Sequence, residues 1–238
     1  MNLIKLSDRV WISEFEEERD RPALGYIKGD NWSLAIDAGH SKEHLDEFYA
    51  ELKKRDLPLP SLTVITHWHW DHSFAMHAIH GLSLANRKTN AHLRDFIENR
   101  NEESDKKFLS LDPSIALEYR NQKITVVLAD IVYEGHVELD AGNCRALVYE
   151  AVSPHTDDAT LILLPEERML FFGDATSGTF PTWIANPEIK KQLITVLENT
   201  DADLFIGAHW PVWTKEDLLQ HMRESLVDDE KYYSFENR

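Results

Sequence analysis

Four potential metal ligands lie within six consecutive residues of this sequence, between a short apolar segment and the start of a helix. The apolar segment, residues 62–65 (LTVI), is short and β-branched, which predicts a buried strand. Residues 73–79 (SFAMHAI) predict the helix. The ligands therefore lie on a loop at the carboxyl end of a strand, where open α/β sheets usually place their chemistry. They are His67, His69, Asp71 and His72.

The spacing of these four residues indicates two groups that point in different directions. His67 and His69 are separated by one residue, so on an extended backbone their side chains leave the same face and can converge on one ion. Asp71 and His72 follow where the chain turns towards the helix, so they can hold a second ion. The alternative interpretation is a run of surface or core histidines, which the density of the pattern disfavours.

The composition limits both the partners and the ligand types. The 238 residues, 42% of them hydrophobic, are enough for one large α/β domain. A formal net charge of −17 argues against nucleic acid or an anionic membrane as partner, because both need a basic face. The same negative charge is compatible with a site for two cations. The single cysteine, Cys144, excludes an internal disulfide and a thiolate cluster, so nitrogen and oxygen ligands must hold any metal.

No targeting or membrane segment is evident. Residues 1–9 (MNLIKLSDR) contain no apolar core of signal-peptide length and no small-residue cleavage site. No stretch reaches the ~18 apolar residues of a membrane span. We therefore expect a soluble, cytoplasmic protein that acts on a small-molecule substrate, without a nucleic-acid or membrane partner. The sequence leaves the oligomeric state open.

The remaining pattern predicts two β-rich halves that are each flanked by helices. In the first half, strands are predicted at 10–15, 25–28, 32–36 and 62–65, and a helix at 41–55. A second sheet is predicted from strands at 125–128, 131–133, 136–139 and 145–152. Further strands are predicted at 160–164, 169–172 and 203–206, and helices at 187–198 and 216–226. Together these elements predict an α/β fold, an αββα sandwich with two mixed β-sheets packed face to face and helices on both outer faces.

Residues 86–123 differ from the rest of the chain in charge. Their basic and acidic residues nearly balance, whereas the remainder is strongly acidic. Leu93, Phe96 and Ile97 fall at helical spacing, and another helix is indicated after Pro113. We interpret this segment as a helical insertion within a single domain of residues 1–238. It either covers the mouth of the site, as longer functional loops often do, or packs on the sheet as an ordinary layer of helix.

Three more predicted strands each end in a potential ligand, namely His155, Asp174 and His209. Each alone is weak evidence, because a histidine at a strand end is more often a hydrogen-bonding residue than a ligand. With the loop at 67–72 they make seven nitrogen and oxygen ligands, which suits two ions with a bridging carboxylate and open positions for water. Asp37, at the end of an early strand, is interpreted as a cap or as a support behind the metal loop.

These motifs resemble the ligand set of the metallo-β-lactamase superfamily. The matching pattern is His67-x-His69-x-Asp71-His72, followed by His155, Gly173-Asp174 and Gly207-x-His209. The resemblance covers about residues 10–215 and implies an αββα fold with the site along one edge of the sandwich. It also implies that His67, His69 and His155 hold one metal, that Asp71, His72 and His209 hold the other, and that Asp174 bridges them.

The resemblance and the chemistry together predict a dinuclear metal-dependent hydrolase. A hydroxide shared by two dications about 3.5–4 Å apart is nucleophilic near neutral pH, because the ions lower the pKa of the bound water. Asp71 is the candidate for handling its proton. We expect two divalent ions, zinc first and iron or manganese as alternatives, since imidazole and carboxylate suit all three. The expected substrate is a small ester, thioester, lactone or related acyl compound; the sequence does not predict its binding residues.

This sequence differs from several individual branches of the superfamily, and these differences narrow the choice among the branches. The best-known β-lactamase branches have a cysteine in the second metal site or lack an equivalent of Asp174. Glyoxalase II enzymes share the seven ligands but carry a helical C-terminal domain, whereas few residues follow His209 here. Flavodiiron proteins have Glu where His69 stands, and the acylhomoserine lactonases place a tyrosine near the bridging Asp, where this chain has residues 175–177 (ATS). RNA-processing members act on polyanions, which the charge of −17 disfavours.

Three alternatives stay open. One is a mononuclear iron oxidoreductase that resembles the persulfide dioxygenases, another a phosphodiesterase, and the third a metal-binding protein without catalysis. Tryptophans near the ligands predict either an apolar substrate pocket or core packing behind the metal loop. They are Trp68, Trp70, Trp183 and Trp210.

Overall fold

Two mixed β-sheets form the centre of the structure, a computed structural model that describes residues 1–236. The first sheet consists, in spatial order, of β1 (Leu3–Lys5), β2 (Val10–Ser13), β3 (Gly25–Lys28), β4 (Ser33–Ile36), β5 (Leu62–Val64), β6 (Leu82–Asn86) and β7 (Ile131–Tyr133). Strands β1 to β4 are antiparallel, and β4 to β7 are parallel.

In the second sheet, all neighbouring strands are antiparallel except β11 and β12, which are parallel to each other. Its spatial order is β13 (Trp213–Thr214), β12 (Leu204–Gly207), β11 (Met169–Gly173), β10 (Thr160–Leu164), β9 (Arg145–Glu150) and β8 (His136–Asp140). The helices are α1 (Lys42–Lys54), α2 (Trp70–Ser73), α3 (Arg87–Glu98), α4 (Glu102–Leu109), α5 (Pro113–Glu118), α6 (Pro187–Asn199) and α7 (Lys215–Glu236). Within residues 1–236, no helix has both the length and the apolar character to span a membrane.

Alternation along the strands separates three apolar layers. Successive side chains of a strand point to opposite faces, so Phe171 packs between the two sheets while Phe172 packs on the outer face of the second sheet. That outer face is covered by α6 and α7 through residues such as Leu193 and Met222. The outer face of the first sheet is covered by α1, whose Phe48 is fully buried. The predicted αββα sandwich of two mixed sheets is confirmed.

Two strand predictions are wrong in detail. The segment 125–128 forms no strand, and Val126, Val127 and Leu128 instead pack partly buried against the helical layer. Next to them, the backbone N–H of Ala129 donates to the side chain of Asn90 rather than to a strand. A short β-branched, apolar run does not by itself distinguish a strand from an irregular segment that packs on a helix. Strand β7 was expected in the second sheet, but it pairs in parallel with β6 in the first.

Two short strands, β1 and β6, carry no strong sequence signal. In β6, Ser83 and Asn86 are buried polar residues, so the segment lacks the apolar run expected of a central strand. Ser83 is accommodated because its backbone N–H and its hydroxyl both donate to the Asp130 carboxylate, at 2.8 and 2.7 Å. A polar partner 47 residues away thus permits a polar residue inside the sheet.

The segment 86–123 is helical, as predicted, and contains α3, α4 and α5. Its helices begin at residues with side-chain caps, which explains their boundaries: Asn101 caps α4 and Asp112 caps α5. Each contributes to the core on the outer face of the first sheet, through Leu93, Phe108 and Ile115. The segment therefore packs against the body of the protein through buried apolar side chains.

Candidate metal centre

The ends of four strands bring all seven predicted ligands to one edge of the sandwich. The parallel strands β11 and β12 are neighbours, so their carboxyl ends lie side by side and present Asp174 and His209 together. The loop after β5 carries the segment 67–72, and the chain after β9 carries His155. The seven side chains form two groups, in each of which the potential ligand atoms lie within 4.8 Å of one another.

The first group consists of His67, His69 and His155, all of which are buried. Nδ1 of His69 lies 3.1 Å from Nε2 of His67 and 2.9 Å from Nε2 of His155. Burial, reinforced by the neighbouring imidazoles, lowers the pKa of His67 well below its usual value and that of His69 to about 3. Neutral imidazole nitrogens that converge in this way are suited to a cation.

Hydrogen bonds on the far side of the rings orient two of these imidazoles. Nδ1 of His155 lies 2.8 Å from the carbonyl oxygen of Gly178, and because a carbonyl can only accept, Nδ1 carries the proton. The lone pair is then on Nε2, which faces the other two histidines. Nδ1 of His67 lies 3.1 Å from the hydroxyl of Thr66. Such outer contacts set the tautomer and orientation of metal-binding histidines.

The second group consists of Asp71, His72, Asp174 and His209. Oδ2 of Asp71 lies 3.0 Å from Nε2 of both His72 and His209. Oδ2 of Asp174 lies 3.5 Å from Nε2 of His72, 3.6 Å from Nε2 of His209 and 3.8 Å from Nε2 of His155. Asp174 therefore lies between the two groups, at comparable distances from histidines of each.

The charges of the second group stabilise one another in the absence of an ion. Burial opposes each charged form, but the carboxylates outweigh it and raise the pKa of His72 well above its usual value and that of His209 to about 9. Against the same cost of burial, the histidines lower the pKa of Asp174 to about 2 and that of Asp71 well below its usual value. Both carboxylates are therefore charged at neutral pH.

Two atoms of this group have no hydrogen-bond partner although they are buried: Nε2 of His72 and Oδ1 of Asp174. A buried polar atom without a partner costs about 1–3 kcal/mol, and more when it is charged. A bound cation would remove that cost, because Oδ1 of Asp174 offers it an electron pair and Nε2 of His72 offers one once the ring has released its proton. The residues present thus fit the divalent metal ions that the sequence predicts.

Asp37 contacts this loop through both of its carboxylate oxygens. Its Oδ1 accepts the backbone N–H of Thr66 at 2.7 Å, and its Oδ2 accepts the Thr66 hydroxyl at 2.9 Å. Oδ2 also lies 2.8 Å from Nδ1 of His72. Gly173 completes the packing here, since a Cβ at this position would lie 2.6 Å from the Thr66 hydroxyl oxygen.

A cavity of about 540 Å³ opens onto the metal centre. Its floor contains the candidate ligands His69, Asp71, Asp174 and His209. Its walls are formed by Glu17, Asp20, Trp70, Ser177, Trp183 and Trp210. No residue of segment 86–123, within the described part of the chain, is among those that line it.

Most of the sequence matches the sequence model of a known family. A sequence model of the metallo-beta-lactamase superfamily matches residues 25–225. The chain belongs to the metallo-beta-lactamase superfamily. No curated protein matches the chain significantly.

Solved structures of this superfamily share the fold of the chain. The metallo-beta-lactamase from Pontibacter korlensis superposes with a TM-score of 0.69 at 19% identity, covering 95% of this chain and 98% of its own. The DIM-1 metallo-beta-lactamase exposed to ceftazidime gives 0.67 at 16%, covering 95% and 96%, and VMB-1 gives 0.66 at 20%, covering 95% and 96%. At these identities the likeness concerns the fold alone.

Within this superfamily fold, the structure adds residues that the motif did not indicate. Asp158 is fully buried, and its Oδ2 accepts the backbone N–H of Trp68 at 2.8 Å, which holds the loop between the ligands. Oδ2 of Asp20 accepts the indole N–H of Trp70 at 3.3 Å, and its Oδ1 lies 4.0 Å from Nδ1 of His209. Burial, followed by the charge of Asp71, raises the pKa of Asp20 to about 6. The only sequence signal for Asp20 was the run of acids around it.

The tryptophans divide between the two predicted roles. Trp70, Trp183 and Trp210 line the cavity, whereas Trp68 packs partly buried against the helical layer and stacks on His92. His92, Asp157 and Asp158 form a third group of potential ligand side chains, none of which lines the cavity.

Proposed function

We propose that this protein is a dinuclear metal-dependent hydrolase that cleaves a small ester, thioester, lactone or related acyl bond. The observation that carries the proposal is the position of Asp174, whose Oδ2 lies 3.5–3.8 Å from histidine nitrogens of both groups. A carboxylate between two sets of neutral or charge-paired imidazoles is the arrangement that a pair of divalent ions requires. The metal-dependent chemistry of the superfamily supports it.

In this proposal, His67, His69 and His155 would hold one ion, Asp71, His72 and His209 would hold the other, and Asp174 would contribute to both. Two divalent ions, with zinc as our first choice, would supply a nucleophilic hydroxide at neutral pH and a Lewis acid for the acyl oxygen. Asp71 is positioned to accept the proton of the attacking water, because its carboxylate lies in the floor of the cavity. Asp37 keeps the His72 ring oriented throughout.

The cavity favours a small substrate. A volume of about 540 Å³ lies in the range of ligand-sized sites, and three tryptophans contribute apolar surface to its lining. Neighbouring structures include a β-lactamase exposed to ceftazidime, and a β-lactam amide is itself a strained acyl bond. A β-lactam therefore belongs in the substrate screen with esters, thioesters, lactones and phosphodiesters.

The first test is metal content, measured by mass spectrometry on protein purified without chelators or affinity nickel. We expect about two zinc or manganese ions per chain and hydrolysis of at least one acyl compound. Asp174→Ala and His67→Ala should lower the metal content and abolish hydrolysis. His136→Ala, on exposed strand β8, is the control and should change neither.

Three results would contradict the proposal. Full activity in Asp174→Ala would show that hydrolysis does not depend on the metal centre. One iron per chain, with oxygen consumed when a persulfide is added, would instead support the oxidoreductase alternative. A phosphodiesterase would be recognised by cleavage of phosphodiesters with no cleavage of acyl compounds.

A further inference from the structure

The cavity above the metal centre has acidic side walls. Glu17 and Asp20 line it, and no lysine or arginine does so among the residues that the structure describes. Both acids belong to the acidic loop, which we define as residues 14–24 between β2 and β3. An anionic substrate would meet repulsion at this wall and would find no cationic side chain to pair with.

The two arginines of the acidic loop do not neutralise this wall. Nη1 of Arg19 lies 2.8 Å from a carboxylate oxygen of Glu43 on α1. Nε of Arg21 lies 2.9 Å from Oε2 of Glu118, which is buried at the end of α5. Both guanidinium groups are thus paired on the side of the loop that faces the helices. Among the described ion pairs, neither arginine contacts Glu17 or Asp20, the two acids of the loop that line the cavity.

The acidic wall is held in place before any ligand binds. Asp20 has a left-handed backbone (φ +51°), and its carboxylate accepts the indole N–H of Trp70 at 3.3 Å. Nδ1 of His40, which is fully buried, lies 3.0 Å from the carbonyl oxygen of Arg19 and ties the loop to the start of α1. A preorganised group recognises its ligand without the cost of ordering a loop.

The same cavity presents an exposed aromatic ring. Trp183 is 55% exposed and has a left-handed backbone (φ +58°), an uncommon combination for a large apolar residue. Its ring is parallel to the imidazole of His155 at 6.0 Å and packs edge-on to Phe180 at 5.5 Å. Strained residues concentrate at functional sites, and an exposed aromatic ring in a cavity that also contains carboxylates can bind an organic cation.

We propose that this cavity selects acyl substrates that carry an alkylammonium group next to the bond that is cleaved. Glu17 and Asp20 supply the negative charge, and Trp183 supplies an aromatic face for the ammonium carbons. The inference rests on the proposed hydrolase function, since it assigns the substrate class of the same site. It also explains why the wall lacks the basic residues that a carboxylate-bearing substrate would need.

The first experiment compares two thioesters that differ only in charge, using the metal-loaded protein. Acetylthiocholine is the cationic probe, and 3,3-dimethylbutyl thioacetate is its neutral counterpart with carbon in place of nitrogen. Hydrolysis adds water across the acyl C–S bond and releases acetate and a thiol, which a colorimetric thiol reagent measures. We expect kcat/KM to be about tenfold or more higher for the cation.

Three charge-removing variants locate the effect. Glu17→Gln and Asp20→Asn should each reduce the preference for the cation by about threefold to tenfold. Glu18→Gln removes the same charge from the same loop, but Glu18 is exposed and does not line the cavity, so the preference should persist. Because Asp20 lies 4.0 Å from His209, the metal content of each variant is measured alongside. Glu17→Gln with full metal content gives the cleanest comparison.

A binding experiment tests the inference without turnover. Choline and neutral 3,3-dimethylbutan-1-ol are titrated into the protein, and tryptophan fluorescence reports the occupancy. Tighter binding of choline that is lost in Glu17→Gln and Trp183→Ala supports the inference, even if neither thioester is cleaved and the hydrolase proposal fails. Equal cleavage of both thioesters with equal binding of both alcohols overturns the inference while the hydrolase proposal stands. An equal loss in Glu18→Gln also overturns it, because the effect would then be one of net charge.

Discussion

Asp37 and His72 are joined by a buried contact of 2.8 Å between Oδ2 and Nδ1, although 35 residues separate them in the chain. The contact turns Nε2 of His72 towards Asp71 and Asp174, where it has no hydrogen-bond partner. The same carboxylate accepts two hydrogen bonds from Thr66. One acid therefore determines the direction of a candidate ligand and the position of the loop that carries the others.

We expect Asp37→Ala to weaken metal binding by the second group by about 10–100-fold, because the His72 ring loses its orientation. It should also lower the free energy of unfolding by about 2–4 kcal/mol, since the donors of Thr66 and His72 stay buried without an acceptor. Metal titration and urea unfolding of the metal-free protein measure the two effects. Asp8→Ala, at an aspartate whose side chain is 97% exposed, is the control. Equal metal affinity and an equal free energy of unfolding in both variants would contradict the role assigned to Asp37.

The two groups should differ in the protons that a metal must displace. In the metal-free protein at pH 7, the raised pKa values of His72 and His209 leave both rings protonated, whereas the lowered values of His67 and His69 leave those rings neutral. Protons compete with the ion at pH values below the pKa of a ligand. The affinity of the second group should therefore fall from pH 9 to pH 6, by about tenfold per pH unit for each proton displaced.

Calorimetric titration in two buffers with different ionisation enthalpies counts these protons. We expect one binding step that releases up to two protons and another that releases far fewer. In His209→Asn, the binding step that releases up to two protons should release about one proton fewer. Identical proton release in both steps would show that the two groups are not electrostatically distinct in solution.

Gly173 should be far less tolerant of a side chain than another glycine with positive φ. Its φ is +51°, and an added Cβ would lie 2.6 Å from the hydroxyl oxygen of Thr66, which bonds Asp37. We expect Gly173→Ala to cost about 2–4 kcal/mol of stability and to reduce metal content, because it displaces Asp174 next to it. Gly135→Ala, at φ +72° with nothing within 4 Å of the new Cβ, should cost about 1 kcal/mol and leave metal content unchanged. Urea unfolding and metal analysis make the comparison, and similar losses would contradict it.

Asp157 and Asp158 are adjacent in the sequence, but we expect their contributions to the stability of the protein to differ sharply. Asp158 is fully buried and accepts hydrogen bonds from Trp68 N–H and the Thr89 hydroxyl, both at 2.8 Å. Asp157 is exposed and contacts only the partly exposed His92 with its side chain, among the contacts described. Asp158→Ala should cost about 2–3 kcal/mol and weaken metal binding by the three histidines, because the loop at 67–69 loses its anchor. Asp157→Ala should cost less than about 1 kcal/mol; thermal unfolding of the two variants checks the order.

Several features could be predicted from the sequence because they depend on neighbouring residues. The dense ligands of 67–72 follow a strand whose β-branched residues indicate it locally, and Asp174 and His209 follow the apolar runs of β11 and β12. A helix such as α1 is likewise local, since Ser41 caps it and its apolar residues recur at helical spacing. Local patterns of this kind predict the same element in any fold that buries the strands.

Other features required the tertiary structure, because they depend on contacts between distant segments. Strand β7 has the same residues whichever sheet it joins, and only its pairing with β6 places it in the first. Segment 125–128 is a β-branched, apolar run like that of a buried strand, but its side chains pack against the helical layer instead. Asp20 is one acid among many in the sequence. It becomes a cavity residue only because the fold brings the acidic loop over His209 and against Trp70, so that burial and neighbouring charges change what its carboxylate can do.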